Sequence, residues 1–173
     1  MSPRGYFIAP APWGCIVEIL GARGSPADPR ERLAAARQVG DIQLLDARLV
    51  CGQDHLASAQ EHAERAIREG TSVAKSLAVE FVLYASGERQ IADALAKMGI
   101  RDDTTEFAVV LFGGGDPAEA LDALGLTRDD DVLDPTPAKL RAFGLSEVEI
   151  ASMPPDRAAD LVLERVALVD LLK

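Results

Sequence analysis

The sequence predicts an α/β fold of the α+β kind, in which several helices cover a small, mainly antiparallel sheet within a single domain. Three observations lead there. The chain has 173 residues, 48% apolar and only 5% aromatic, which suits one core built from Ala, Val, Leu and Ile. Short β-prone runs alternate with longer stretches of helical period that carry caps at their ends. No internal repeat, low-complexity stretch or long linker divides the chain, so residues 1–173 are read as one domain.

Taken in order, Met1 to Pro12 is rich in Pro and turn formers and is expected to be a loosely held arm. Cys15 to Ala22, CIVEILGA, is apolar and β-prone and predicts the first strand, ended by Gly21 and Gly24. Pro26 to Val39 predicts a helix, with Asp28 as cap and Pro29 at the first helical position. Asp41 to Leu49, bounded by glycines, predicts a second strand. Asp54 to Glu69 puts Leu56, Ala59, Ala63, Ala66 and Ile67 on one stripe, and Gly70 stands just past its end.

The densest helical pattern runs from Val73 to Ile100. Val73, Leu77, Phe81 and Tyr84 recur at steps of four and three, and Val79, Val82 and Leu83 widen the arc, which predicts a buried helix. Ser86 and Gly87 mark a corner, Gly ending one helix and Ser capping the next. The second helix then presents Ile91, Ala94, Leu95 and Met98 on one face, leaves Glu88, Arg89, Asp93 and Lys97 to solvent, and closes at Gly99. Thr105 to Phe112, TEFAVVLF, is an unbroken apolar run that predicts a strand buried on both faces. Asp116 and Pro117 start a helix reaching Leu124, Asp131 to Leu133 is read as a short edge strand, and Pro135 to Phe143 and Ser146 to Ala151 as short helices. Asp156 to Leu171 predicts a terminal helix with more apolar surface than one face needs.

The formal charge of −10 excludes a protein that grips nucleic acid over its whole surface; any such contact has to be local. Cys15 and Cys51 are too few for a disulfide framework and read as small buried hydrophobes in a reducing, cytoplasmic setting. The N-terminus, broken by Pro10, Pro12 and Gly14, matches neither a signal peptide nor a membrane span. Gly113-Gly114-Gly115 between strand and helix resembles a phosphate cradle, but Asp116 follows it and no Lys-Ser/Thr pair does, and Gly21 to Gly24 fails similarly with no lysine in the turn. His55 and His62 are two helical turns apart, too far to share a metal unaided. No catalytic residue set, metal site or cofactor is therefore assigned.

"EFVLYASGERQIADALAKMGI", preceded by "DARLVCGQDHLASAQEHAERAI" and followed by "VLERVALVDL", resembles the kinase-binding (PRPK-binding, CGI-type) subunit of the KEOPS, or EKC, complex. The resemblance covers Asp46 to Phe112 well and the C-terminal helix in part. That complex makes threonylcarbamoyl-adenosine in tRNA next to the anticodon. The resemblance implies a non-catalytic regulatory subunit that binds the small kinase-like ATPase directly, meets the threonylcarbamoyl-transferase subunit only through it, and engages the tRNA 3′ CCA end. Composition and periodicity alone name no such function.

Such an end is read by a few contacts and by base stacking, without a broad basic face. The residues assigned to it are Lys75, Ser86, Arg89 and Gln90, around the ends of the central helix pair. Arg89 can equally pair with Glu88 or Asp93, and Tyr84 is either a stacking platform or core. In the terminal helix Val162, Val166 and Val169 form one stripe and Leu161, Leu168 and Leu172 its neighbour, so one joins the core and the other meets a partner. Val166, Leu168 and Val169 are assigned to that contact. Two competing readings are a small phosphate-binding enzyme using the Gly113–Gly115 turn and an adaptor without RNA contact.

Overall fold

The computed structural model describes the backbone of Tyr6–Ile8 and residues 17–172. In chain order the elements are β1 (Tyr6–Ile8), β2 (Val17–Arg23), α1 (Pro29–Val39), β3 (Asp41–Asp46), α2 (Gln53–Glu69), α3 (Leu77–Ser86), α4 (Ile91–Met98) and β4 (Glu106–Phe112). They continue with α5 (Pro117–Ala123), β5 (Thr127–Arg128), α6 (Pro137–Phe143), α7 (Glu147–Ala151) and α8 (Asp160–Leu172). This is an α+β fold with a small antiparallel sheet, as the sequence predicts. Contacts group the chain into two compact units, one of Met1–Arg48 with Gly99–Leu133 and one of Leu49–Met98 with Asp134–Lys173.

The first unit holds the sheet, in the order β1-β2-β4-β3 with β5 added beside β2, and every pairing is antiparallel. β4 is central because its apolar run carries no polar side: six of its seven residues are buried. It sets Val109 opposite Leu20 on one side and Leu44 on the other. On that face Leu20, Ala22, Leu44, Phe107, Val109 and Leu111 pack with Ala36 of α1 and with Ala120, Leu121 and Leu124 at the end of α5. Asp28 caps α1 by accepting the Arg30 N–H at 2.8 Å, with Pro29 first in the helix, as read from the sequence.

Three expectations in this unit change. Part of the supposed loose arm, Tyr6–Ile8, pairs with Val17–Ile19 as an edge strand; its other residues, and Cys15, lie outside the described residues. The second strand stops at Asp46, because the Asp46 carboxylate accepts the Arg48 N–H at 3.0 Å and folds Ala47–Leu49 into a 3-10 turn. Asp131–Leu133 is likewise a 3-10 turn and not an edge strand. Asp130 reaches back to accept the Gly21 N–H at 3.0 Å, which binds the turn to β2 and leaves Thr127–Arg128 as the short strand.

The second unit is helical. α3 contacts α2, α4 and α8, and everything in it except Leu77 and Val79 is buried. Phe81, Val82, Leu83 and Tyr84 are fully inside, each contributing on the order of 2 kcal/mol by apolar burial. The helix begins later than its period suggests. Ser76 caps it, and the buried Glu80 carboxylate accepts the N–H groups of Val73 at 3.0 Å and Ala74 at 2.7 Å. That clasp holds Val73 outside the helix, where it is 49% exposed. In α2 the stripe Leu56, Ala59, Ala63 and Ala66 is buried, but Ile67 faces out. The terminal helix starts at Asp160, after a 3-10 turn over Pro155–Arg157. No helix among the described residues is long and apolar enough to cross a membrane.

Candidate functional site

The site grows from the corner between α3 and α4. Gly87 ends α3 in the left-handed conformation, φ 71°, which a side chain would strain, and its N–H returns to the Tyr84 carbonyl. Ser86 is fully buried: its hydroxyl donates to the Leu83 carbonyl at 2.8 Å and accepts the Glu88 N–H at 3.1 Å. Both capacities are used within the corner. Ser86 therefore shapes this turn and is corrected from an RNA contact to a structural residue; as the last residue of α3 it also does not cap the next helix, which begins at Ile91.

Lys97 supplies what the end of α3 lacks. Its Nζ donates to the Ser86 carbonyl at 2.7 Å, one of the last-turn carbonyls that a helix leaves without an internal partner. The same ammonium pairs with Glu88 at 3.2 Å and lies 4.1 Å from the centre of the Phe143 ring. The expectation that Lys97 faces solvent is corrected, since its side chain is 24% exposed. Phe143 in turn stands edge-on to His55, with ring centroids 5.3 Å apart. Sequence reading missed Lys97 and Phe143 here because they lie 46 residues apart (143 − 97) and no local spacing joins them.

Arg89 and Gln90 are exposed on the loop between the two helices. Glu88 is paired with Lys97, and Arg89 has no hydrogen bond or ion pair among the described residues. Lys75 is exposed too, but it precedes α3 while Arg89 follows it. Ten helical residues separate them by about 15 Å. The assigned patch thus divides: Arg89 and Gln90 stay together, and Lys75 belongs to the other end.

Tyr84 is core and not a stacking platform. Its ring is buried and its hydroxyl donates to Asp170 of α8, which also accepts from Arg65 at 3.1 Å and meets His62 Nδ1 at 2.7 Å. Burial, followed by the Asp170 bond, raises the Tyr84 phenol well above its ordinary range. Burial also opposes ionisation of Asp170, but the bonds from Tyr84 and His62 outweigh it and hold that carboxyl below its ordinary value. His55 is buried between the start of α2 and the end of α3, so it reaches no RNA. The two imidazoles have different partners, His55 the Ala85 carbonyl at the end of α3 and His62 the Asp170 carboxylate of α8.

On α8, Val162, Val166 and Val169 are fully buried in the helical unit, where α8 contacts α2 and α3. Val166 and Val169 are thereby corrected from partner contacts to core. Leu168 is 40% exposed, and Leu171 and Leu172 more so. In the other unit, Asp116 accepts the Ala118 N–H at 2.8 Å and the Glu119 N–H at 3.4 Å, occupying amides that a phosphate after Gly113–Gly115 would need. This removes the geometric support for a phosphate-binding enzyme at that turn.

Residues 25–146 match the family model described as kinase binding protein CGI-121. A curated relative, the EKC/KEOPS complex subunit CGI121 of Yarrowia lipolytica, is 28% identical over 87 residues, which is 50% of this chain and 52% of the relative. The matched region thus spans about half the length of that relative.

Proposed function

The chain belongs to the family of kinase binding protein CGI-121, and from that premise we propose that it is a non-catalytic, tRNA-binding regulatory subunit of a KEOPS-type assembly. In this reading it acts in the cytoplasm, binds the kinase-like ATPase subunit directly and the threonylcarbamoyl-transferase subunit only through that kinase. It holds the tRNA 3′ CCA end while threonylcarbamoyl-adenosine is made near the anticodon.

The observation that carries the RNA half of the proposal is the state of Arg89. An exposed guanidinium with no partner among the described residues, beside the exposed Gln90 and on a corner held from beneath by Lys97, suits one phosphate of a single strand. The rest of the acidic surface needs no part in it. Titration with tRNA, intact and lacking its CCA end, tests this. Binding of the intact form only, lost in Arg89→Glu, supports the reading; equal binding of both rejects end recognition, and no binding leaves a kinase adaptor. For the kinase, the proposed contact is the outer face of α8 around Leu168, where exposed leucines would be buried at an interface centre.

A further inference from the structure

We infer that Lys97 is a positioning residue of the RNA-end site, which keeps Arg89 available by holding Glu88; this rests on the reading of that corner as the RNA contact. Glu88 and Arg89 are neighbours in the short connection between α3 and α4, so a Glu88 carboxylate without a partner of its own would place a negative charge close to the guanidinium and compete with any anion for it. Glu88 has such a partner. Lys97 pairs with it at 3.2 Å, while the same ammonium donates to the Ser86 carbonyl at 2.7 Å and lies against the Phe143 ring at 4.1 Å.

Those three attachments come from three different elements, the end of α3, the connection and α6, so they fix Nζ from several sides. An ammonium committed in this way is not the group that reaches out for a phosphate. Its effect passes through Glu88, whose side chain is 38% exposed and would otherwise either capture Arg89 or set a bare negative charge beside the incoming phosphate. Lys97 thus removes a competitor, and Arg89 makes the contact.

The test is a mutant cycle on the full chain with intact tRNA: parent, Lys97→Met, Glu88→Gln and the double variant, each titrated at several salt concentrations. Lys97→Met is expected to weaken binding about fivefold, and the added Glu88→Gln to restore most of it, with the salt slope of the double variant equal to the parent's. A double variant as weak as Lys97→Met, or one whose salt slope falls by about one, would overturn the inference by making Lys97 a structural prop or a direct phosphate contact. A second readout needs no RNA: the Arg89 side-chain Nε–H exchange by nitrogen-15 NMR. Slowed exchange in Lys97→Met that reverts in the double variant supports the inference, and unchanged exchange rejects it. If the parent binds no tRNA, the RNA half of the function reading fails and the positioning role with it, while this measurement still shows whether Lys97 keeps Glu88 from Arg89.

Discussion

Nε2 of His55 donates to the carbonyl oxygen of Ala85 across 2.7 Å, joining the first turn of α2 to the last turn of α3, thirty residues further along the chain. Nδ1 of the same ring accepts the Cys51 N–H at 3.1 Å, so the ring is held as the neutral Nε2–H tautomer with neither nitrogen spare. Burial, with smaller effects from Lys97 and Lys139, lowers its pKa from 6.5 to about 4 against the opposing Ala85 bond.

A pH dependence follows from this ring. Between pH 6.5 and 4 the unfolded chain takes up a proton at His55 and the folded chain does not, so stability is lost as the pH falls through that window. At pH 5 the loss from this group is about 2 kcal/mol. His55→Leu leaves the Cys51 amide and the Ala85 carbonyl without partners and is expected to cost about 2 to 4 kcal/mol at pH 7. It also removes this part of the pH slope. Denaturant unfolding of parent and variant at pH 7 and pH 5 checks both, and an unchanged slope in the variant would refute the assignment.

Gly21 sits where β2 passes beneath the 3-10 turn that follows β5. A Cβ added there lies 2.4 Å from the Asp129 carbonyl oxygen and 2.9 Å from the Asp130 Cα, both backbone atoms. The backbone has to move. Gly21→Ala is expected to destabilise by about 2 to 3 kcal/mol, and to lower Tm by roughly 5 to 10 °C. A thermal melt indistinguishable from the parent's would contradict that close approach.

Arg89→Glu replaces an exposed cation without disturbing a contact, so the fold is expected to be unchanged by circular dichroism. Affinity for intact tRNA should fall by about tenfold or more, since an attraction is exchanged for a repulsion. Lys75→Glu, at the opposite end of α3, is expected to change binding far less. Equal losses from both substitutions would mean that the RNA follows the whole helix and not its corner.

The two stripes of α8 separate in a second pair of variants. Val169→Glu places a carboxylate in the core and is expected to unfold the chain or cost several kcal/mol, on the order of 3 to 5. Leu168→Glu should leave the fold intact and remove co-elution with the kinase-like subunit. Co-elution that survives Leu168→Glu at low concentration would move the interface elsewhere.

The local features were legible in the sequence because they are written within four or five residues. Asp28 before Pro29, Asp116 before Pro117 and Gly87 after Ser86 each act on amides or carbonyls of their own turn, and all stand where the spacing puts them. The apolar run read over Thr105–Phe112 likewise marked a strand, found at Glu106–Phe112 with six of its seven residues buried. The corner after α3 was itself legible for the same reason, but not the start of the next helix: Glu88 and Arg89, read as its polar face, precede it in the connection.

Only the tertiary structure decided what the periodicity left equal. Val162-Val166-Val169 and the neighbouring leucine stripe share one helical period, so the sequence determined that α8 has two apolar stripes but not which one is inward. Tyr84 could face either way until Asp170, 86 residues on, took its hydroxyl. Lys97 reads as a solvent residue on its own helix and becomes a bound one through Ser86, Glu88 and Phe143. A cap is set by the amides within its own turn, whereas a buried polar side chain is set by whichever distant group satisfies it, and that partner exists only once the chain has folded.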